Sequence, residues 1–468
     1  MIPQLRDYQA SAVQAGLLGV SEGVPTVLVS PTGSGKSVIG MSLVRHLTSE
    51  GKRVAWVTHR DHLIQQMRAH ARDWEIPYGV VKAGQMETPD APLQICSVHT
   101  ARRRDVWNRV QVCVLDECHR EDVTGPVMKR AEGIPRIGLT ASPIASDGDT
   151  LGRWFQHLVV AALPSQLLAQ RAIVPARMFL PHNPELANVR SRGGDFDQRQ
   201  LENVMARMEV TGNILRHWET WAKGQPTVVF AVSQQHARQV AEAFKTAGWG
   251  AAVVTADTPD AERDHIQARF RAGSIHVLVN CSIFVEGYDL PSIRCVVDAH
   301  PTKSLARALQ QAGRGSRPEP GKADFILMDH AGNVMRHRPP HVDRLWTLLD
   351  RKENGTESAV ARENLGIRYC PDCFFAYTGA GACPNCGSRA MPRRAVREKA
   401  GNLVEKTEAE IQALLAPTLQ ASEALDRYRR HLYAKHRYAP PSKRHAIVKK
   451  ELAAFTRELM GAGKNGAP

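Results

Sequence analysis

The stretch VPTVLVSPTGSGKSVIGMSLVRHL, residues 24–47, joins an apolar β-branched run to an apolar helical pattern through a glycine-rich turn. The run at residues 24–30 predicts a buried strand, and the pattern after residue 37 predicts a helix that begins at the turn. Gly33 and Gly35 allow backbone N–H groups to converge at the start of this helix. The stretch therefore predicts a strand–loop–helix unit of an α/β fold.

The alternation of short apolar runs with polar or helical patterns continues along the chain. In the first third, further runs lie at residues 52–59, 93–98 and 110–116. After a less regular stretch, the alternation resumes with runs at residues 226–233, 249–256, 275–282, 293–299 and 323–330. Because this rhythm is typical of parallel sheets covered by helices, we predict two tandem α/β domains.

The composition is that of a globular chain with an excess of positive charge. The chain has 468 residues, of which 43% are hydrophobic and 23% are charged, and these values exclude wholesale disorder. Lys and Arg number 61 against 47 Asp and Glu, and the net charge of +14 favours a polyanionic partner. No apolar run approaches the roughly 18 residues of a membrane span. The N-terminus lacks the pattern of a signal peptide, so we expect a cytoplasmic protein.

The turn SPTGSGKS, residues 30–37, has the spacing of a phosphate-binding loop. Its backbone N–H groups and the positive end of the helix dipole favour phosphate oxygens. We predict that Lys36 reaches the β- and γ-phosphates of a nucleotide and that Ser37 binds Mg²⁺. The predicted nucleotide-binding residues of the loop are Thr32, Gly33, Ser34, Gly35, Lys36 and Ser37.

The tetrapeptide DECH, residues 116–119, ends the predicted strand at 110–116. A carboxylate at the end of a strand beside a phosphate loop lies where a Mg²⁺ ligand is needed. Asp116 is therefore the candidate ligand, and Glu117 is the candidate residue that orients or deprotonates the attacking water.

A third motif, QQAGRGSR at residues 310–317, lies in the second α/β unit. Two arginines three residues apart on a helix point in the same direction, so Arg314 and Arg317 could clamp a γ-phosphate held by the first unit. The predicted catalytic residues are Lys36, Asp116, Glu117, Arg314 and Arg317.

Taken in order, these motifs resemble those of the superfamily 2 helicases with a DECH box, across both α/β units. The phrases VLVNCSIFVEGYDLP and LQQAGRGSRP are similar to the DEAD/DEAH-type group found in phages and prophages. The resemblance implies two RecA-like domains that bind ATP and Mg²⁺ in the cleft between them. It also implies a bacterial or phage-infected cell.

The resemblance assigns roles to further short motifs. Gln9 would read the adenine base, and the TAS motif at residues 140–142 would couple hydrolysis to movement. In the EGYD motif at 286–289, the resemblance assigns Gly287 and Asp289 to the ATP site. The implied nucleic-acid contacts are Arg60, Thr100 and Ser282.

The function that this resemblance implies is that of an ATP-dependent DNA helicase or translocase. DNA is favoured over RNA by the resemblance and not by any residue that reads the sugar. The alternatives are an RNA helicase, the motor subunit of a restriction system, and a nucleic-acid-binding scaffold with a decayed ATPase. All of the predicted catalytic residues are present, which argues against a scaffold that has lost its ATPase activity. Replication, recombination or repair proteins are the partners that such a role implies.

Four clustered cysteines stand apart from the five scattered ones. Two C-x-x-C pairs at this spacing suit tetrahedral Zn²⁺, and four thiolates would fill its coordination sphere as in a structural zinc ribbon. An iron–sulfur cluster is the less favoured alternative. Whether the ribbon binds DNA, binds a protein or braces the fold stays open. The predicted zinc ligands are Cys370, Cys373, Cys383 and Cys386.

The last 76 residues are basic, with 16 Lys and Arg against 8 Asp and Glu, a difference of +8. A nucleic-acid-binding tail and a solvated helix face both explain this charge. The resulting domain assignment is a RecA-like ATP-binding domain at 1–163, a connector or hinge at 164–210, a RecA-like helicase C-terminal domain at 211–350, a zinc ribbon at 366–392 and a mostly helical tail at 393–468.

Overall fold

The computed structural model describes two large units and three short pieces of the chain. The described residues are 2–84, 88–145, 150–180, 186, 189–192, 195–205, 208–281, 293–348, 367–369, 376–378 and 405–406. The predicted site residues that lie outside this part of the chain are Ser282, Gly287, Asp289 and the four zinc cysteines. The helical pattern expected for the tail also lies outside it, apart from residues 405–406.

The first unit is a seven-stranded parallel sheet covered by helices. Its strands are β1 (Thr26–Val29), β2 (Val54–Thr58), β3 (Tyr78–Val81), β4 (Leu93–Ser97), β5 (Val112–Asp116), β6 (Arg136–Thr140) and β7 (His157–Val160). Their spatial order is β3-β4-β2-β5-β6-β1-β7. The helices are α1 (Asp7–Ser21), α2 (Lys36–Ser49), α3 (Asp61–Asp73), α4 (Val98–Ala101), α5 (Glu121–Arg130) and α6 (Pro164–Ala169).

The second unit is built in the same way. Its strands are β8 (Ala176–Phe179), the short pair β9 (Ser191–Arg192) and β10 (Asp195–Phe196), β11 (Thr227–Ala231), β12 (Ala251–Val254), β13 (Val277–Asn280), β14 (Cys295–Ala299) and β15 (Phe325–Asp329). Its helices are α7 (Gln198–Met205), α8 (Met208–Trp221), α9 (Gln234–Thr246), α10 (Asp260–Arg271), α11 (Leu305–Ala312) and α12 (Asn333–His337).

Three short strands follow the second unit. They are β16 (Ile367–Tyr369), which pairs in antiparallel fashion with β17 (Ala376–Thr378), and β18 (Glu405–Lys406). The large sheet of the second unit has the order β12-β13-β11-β14-β15-β8-β18, in which β18 alone runs antiparallel to its neighbour. Strand β8 lies within the segment predicted as a connector and pairs in parallel with β15.

The prediction of two tandem parallel-sheet domains is confirmed, and each of the nine predicted apolar runs contains a strand. Strands β3, β6, β7 and β8 were not predicted. Strand β6 carries a glycine because a Cβ at Gly138 would stand 2.5 Å from the ring of Phe155 and 2.7 Å from the Cys118 sulfur. Strand β7 is only partly buried.

Side chains of the central strands alternate between two cores, one on each face of the sheet. In β2, Trp56 belongs to the cluster under α1 and α2, whereas Ala55 and Val57 belong to the cluster on the opposite face. Both faces are therefore buried, which explains the uninterrupted apolar runs. Among the described helices, none combines the length and apolar character needed to cross a membrane.

A segment after α12, residues 339–348, runs back from the second unit onto the first. The Asp343 carboxylate accepts hydrogen bonds from the Ser165 backbone N–H at 2.9 Å and from the Ser165 hydroxyl at 2.6 Å. Farther along, Trp346 and Leu348 pack against the apolar core of the first unit. The two units are thus joined by this returning segment as well as by the chain that connects them.

The return segment predicts a steric constraint at Gly152. A Cβ at this position would stand 1.9 Å from the Leu348 carbonyl oxygen. We expect Gly152→Ala to destabilise the protein by about 1–3 kcal/mol, since the backbone of a packed segment must move. Thr150→Val, which removes the 3.0 Å hydrogen bond to the Leu348 carbonyl, is expected to cost about 1 kcal/mol. Thermal denaturation measures both, and an unchanged midpoint for Gly152→Ala would contradict the docking of this segment.

Candidate active site

The glycine-rich loop between β1 and α2 adopts the backbone conformation that its sequence predicts. Gly33 and Gly35 have φ angles of +90° and +83°, which only glycine adopts readily. A Cβ at Gly35 would stand 2.5 Å from the Gln9 side-chain nitrogen, and one at Gly33 would stand 3.0 Å from the Ser316 hydroxyl. The loop is therefore closed in on two sides, and glycine is needed at both positions.

The start of α1 lies directly against this loop. The Tyr8 hydroxyl donates to the Ser34 carbonyl at 2.7 Å, and the Gln9 amide donates to the same oxygen at 3.1 Å. The Gln9 side-chain oxygen accepts the Arg6 backbone N–H at 3.0 Å, which fixes the orientation of the amide. Gln9 was predicted from the sequence as a site residue, whereas Tyr8 was missed although it is the neighbouring residue.

The acidic pair lies at the carboxyl end of β5, beside the loop. The Lys36 ammonium forms an ion pair with Glu117, and both side chains are largely buried. Glu117 has a φ of +50°, an unusual conformation for a residue with a side chain. The Asp116 carboxylate accepts the Glu117 backbone N–H at 3.0 Å, which helps to hold this turn.

Burial and charge shift the pKa values of this group. Burial alone would lower the pKa of Lys36, but the carboxylates of Glu117 and Asp116 outweigh it, so the pKa is raised and the ammonium stays charged. Burial raises the pKa of Asp116 to about 6, even though the Lys36 charge opposes the shift. A buried carboxylate of this kind is stabilised by a cation, so Asp116 fits a Mg²⁺ ligand.

His119 connects the acidic pair to the next strand. Its Nδ1 lies 3.2 Å from a Glu117 carboxylate oxygen and 3.1 Å from the Thr140 hydroxyl. The Thr140 hydroxyl in turn accepts the Ser142 backbone N–H at 3.1 Å and donates to the Ser142 carbonyl at 2.7 Å. The DECH and TAS motifs are therefore one buried hydrogen-bonded unit.

The second unit supplies the opposite wall of the cleft. The Gln310 amide on α11 donates to Glu117 Oε2 at 3.1 Å. The Ser316 hydroxyl donates to the Gly313 carbonyl at 2.7 Å and lies 3.3 Å from the Thr32 carbonyl oxygen of the phosphate loop. Arg314 is nearly fully buried, and the Arg317 Cγ lies 3.7 Å from the position that a Cβ on Gly33 would take. The structure thus brings Arg317 to the phosphate loop, whereas for Arg314 it shows burial in the turn that follows α11.

Gln310 and Ser316 were not among the residues predicted to form the site. Both lie within the stretch 310–317 that was singled out for its arginines. A glutamine four residues before Arg314 was the signal available in the sequence. Gln310 and Glu117 are 193 residues apart in the sequence, so a local motif cannot show that they are in contact. The expectation that Arg314 and Arg317 lie on a helix is wrong, because α11 ends at Ala312 and both arginines lie in the turn and loop that follow it.

Two of the predicted nucleic-acid contacts lie on the same edge of the first sheet as the loop. Arg60 and Thr100 follow β2 and β4, which are neighbours, and the carboxyl ends of parallel strands meet at one edge. Thr100 is largely buried, and Arg60 is partly exposed. Ser282 lies outside the described residues, as do Gly287 and Asp289.

Within the described residues, no group of three or more His, Cys, Asp or Glu side chains could hold a metal ion. The four cysteines predicted to bind zinc lie outside that part of the chain. The zinc site therefore stays a prediction from the sequence.

The fold and the cleft define a class of protein: a nucleotide-hydrolysing enzyme of two RecA-like domains with the phosphate loop on one wall and arginines on the other. Family models agree with the division into two domains. The model described as type III restriction enzyme, res subunit, matches residues 2–145, and the model for the helicase conserved C-terminal domain matches residues 206–319. Residues 2–145 and 206–319 thus match domain models of the superfamily 2 helicases, and similar proteins include ATP-dependent helicases, which supports a nucleic-acid-dependent ATPase.

Among similar proteins, a 51.5 kDa protein of a Lactococcus phage is 26% identical over 350 residues, 74% of each chain. A putative ATP-dependent helicase of Saccharomyces cerevisiae is 28% identical over 358 residues, which are 70% of this chain and 52% of that protein. A DNA 3'-5' translocase of Sulfurisphaera tokodaii is 24% identical over 370 residues, 69% of this chain and 81% of that protein. The chain thus matches only about half of the yeast protein.

The fold is shared with solved structures. One of them is a fragment of a putative HsdR subunit of a type I restriction enzyme from Vibrio vulnificus, with a TM-score of 0.57 and 18% sequence identity. The match covers 73% of this chain and 68% of that chain. At this identity the likeness extends to the fold alone.

Proposed function

We propose that this chain is an ATP-dependent DNA helicase or translocase that couples ATP hydrolysis in the interdomain cleft to movement along, or remodelling of, DNA. The observation that carries the proposal is the meeting of both domains on one carboxylate. Lys36 of the first unit and Gln310 of the second both contact Glu117. A movement of the Glu117 carboxylate, or a change in its charge, therefore alters contacts with both domains.

In the proposed reaction, the phosphates of ATP lie at the start of α2, where backbone N–H groups, the helix dipole and Lys36 favour negative charge. Gln9 contacts the adenine, and Gly287 and Asp289 complete the site from the second domain. Ser37 and Asp116 would hold Mg²⁺, which neutralises charge on the phosphate oxygens.

Glu117 is the proposed group that orients the attacking water and accepts its proton. In the structure its carboxylate is paired with Lys36, so a γ-phosphate that attracts Lys36 would release Glu117 for this role. His119 and Gln310 hold the other carboxylate oxygen and limit its rotation. Arg314 and Arg317 stabilise the charge that spreads over the γ-phosphoryl group in the transition state.

Coupling follows from the contacts that cross the cleft. The Gln310–Glu117 hydrogen bond and the contact of Ser316 with Thr32 exist only when the two walls are close together. ATP adds further contacts to both walls and favours closure, and loss of the γ-phosphate removes them. Hydrogen bonds link His119, Thr140 and Ser142, and we propose that they transmit the loss of the γ-phosphate to the first sheet. Arg60 and Thr100 lie at the edge of that sheet.

DNA is the proposed track, because the Sulfurisphaera relative is described as a DNA translocase and the family model of residues 2–145 is that of a restriction enzyme subunit. Arg60, Thr100 and Ser282 are the proposed backbone contacts. The phage relative supports a role in the cytoplasm of a bacterial or phage-infected cell. Replication, recombination or repair proteins are the proposed partners, from the resemblance of the sequence alone.

A second candidate function is the motor of a restriction system. The res-subunit family model and the shared fold of the HsdR fragment favour it. In that case a separate subunit would cut the DNA, and this chain would translocate without separating strands.

The experiment that tests the proposal is steady-state ATP hydrolysis without polymer and with single-stranded DNA, duplex DNA, forked DNA or RNA. We expect at least one form of DNA to raise kcat strongly. If RNA alone stimulates ATP hydrolysis, the chain is an RNA-remodelling enzyme. If no nucleic acid changes the rate of ATP hydrolysis, the proposal is contradicted. A strand-displacement assay with the stimulating DNA then separates a helicase from a translocase of the restriction type.

We also propose one structural zinc ion bound by Cys370, Cys373, Cys383 and Cys386. The paired strands β16 and β17 support a ribbon, since residues 370–375 between them contain the first C-x-x-C pair. Elemental analysis should find about one zinc per chain in the wild type and none in the Cys370→Ser/Cys373→Ser variant. Cys281→Ser is the matched control and should retain the metal. Iron with a visible absorbance band, or no metal, would contradict the ribbon.

A further inference from the structure

The loop that follows α11 carries Arg317 and is held at both ends. At its start, the Ser316 carbonyl accepts the Val174 backbone N–H at 2.8 Å, which ties the loop to the chain leading into β8. Its sequence from Arg317 to Lys322 is RPEPGK, in which two prolines restrict the backbone. The direction of the Arg317 side chain is therefore set by a short, stiff loop.

Lys322 closes this loop with a charged hydrogen bond. Its side chain is only 7% exposed, and its ammonium donates to the Arg317 carbonyl at 2.9 Å. The Lys322 backbone N–H also donates to the Glu319 carbonyl at 3.0 Å. A buried ammonium is costly unless it is paired, and the Arg317 carbonyl is one of the groups that pair with it here.

Arg294, at the start of β14, holds the far side of the same loop. Its guanidinium donates to the Gly321 carbonyl at 3.1 Å and lies 3.9 Å from the Glu319 carboxylate. The loop is thus anchored to the sheet at residues 319–321, and Lys322 connects that anchor to the backbone of Arg317.

We propose that Lys322 is a positioning residue for ATP hydrolysis, because its ammonium fixes the Arg317 backbone and thereby directs the Arg317 side chain toward the phosphate loop. The inference rests on the role proposed above for Arg317. It adds a residue outside the recognised motif, which ends at Arg317, and assigns it a function through its contact with the arginine.

The first test is Lys322→Met, which keeps the aliphatic volume and removes the donor. We expect kcat to fall about tenfold, because a misdirected Arg317 loses contacts made mainly in the transition state, and KM for ATP to stay within about twofold. Lys322→Arg, which restores a charged donor, should recover most of the loss. Lys245→Met, a change at an exposed lysine on α9, is the control and should leave kcat unchanged.

A double-mutant cycle separates positioning from general stability. In the Arg317→Ala background, Lys322→Met should produce no further decrease in single-turnover hydrolysis, since the group that Lys322 directs is then absent. Additive losses would show that Lys322 acts on something other than Arg317 and would overturn the proposal.

The pH dependence gives an independent readout that needs only the wild type and Lys322→Arg. Burial lowers the pKa of Lys322 to about 8, with repulsion from Arg294 and Arg317 adding to the shift and Glu319 opposing it. The ammonium is therefore present below about pH 8 and lost above it. Wild-type turnover should decline as the pH rises from 7 to 9.5, whereas Lys322→Arg should decline less, since a guanidinium stays charged.

Two results would overturn the proposal: Lys322→Met with at least half of the wild-type kcat, or Lys322→Arg with the same pH profile as the wild type. If Lys322→Met does not fold, the comparison of the wild type with Lys322→Arg still decides. All of these rates are measured without nucleic acid, so a failure of DNA stimulation would refute the proposed function without touching the Lys322 result.

Discussion

Lys36→Ala should abolish ATP turnover, with a decrease in kcat of about a thousandfold or more. The Lys36 ammonium is buried at the start of α2, and the charges of Glu117 and Asp116 keep it protonated. Its removal takes away the positive charge nearest to the proposed phosphate position. It also leaves the Glu117 carboxylate buried without the cation that it contacts in the structure.

Coupled-enzyme ATPase assays at saturating DNA measure this effect. Lys52→Ala is the matched control, since this lysine is partly exposed at the end of the turn before β2, outside the phosphate loop in the sequence, and should leave the rate unchanged. Circular dichroism of both variants establishes that the fold persists. Turnover retained by Lys36→Ala would mean that the glycine-rich loop does not bind the reacting phosphates.

The sequence predicts the architecture well because the central strands are buried on both faces. Runs such as VQVCVLD at residues 110–116 have no polar side, which distinguishes them from the amphipathic helices around them. Strand β8, which was missed, lacks this signature. Strand β8 reads ARMF, with Arg177 only half-buried, and it joins the second sheet through a pairing with β15 some 150 residues away in the sequence.

The residues of the candidate site also fall into two groups, those that the sequence predicts and those that it does not. The phosphate loop and the DECH box are local, and their chemistry follows from residue type and spacing. Contacts that close the cleft are not local. Gln310 meets Glu117 across the cleft, and Asp343 caps Ser165 on the first unit, because the two sheets pack together in three dimensions. A single sequence indicates which residues are able to react, whereas the partners that orient them depend on the packing of the domains.

Arg317→Ala should reduce kcat by about a thousandfold while leaving ATP binding nearly intact, as expected of an arginine that acts mainly on the transition state. The Arg317 side chain passes Gly33 of the phosphate loop, and it comes from the opposite domain. Its charge is therefore useful only when the cleft is closed, so hydrolysis depends on domain closure. Equilibrium binding of a fluorescent ATP analogue should give a Kd within about threefold of the wild type. Single-turnover hydrolysis should show the full loss. A variant that loses ATP binding together with turnover would show that Arg317 holds the ground state, and the link between closure and hydrolysis would then have to depend on Arg314 and Gln310.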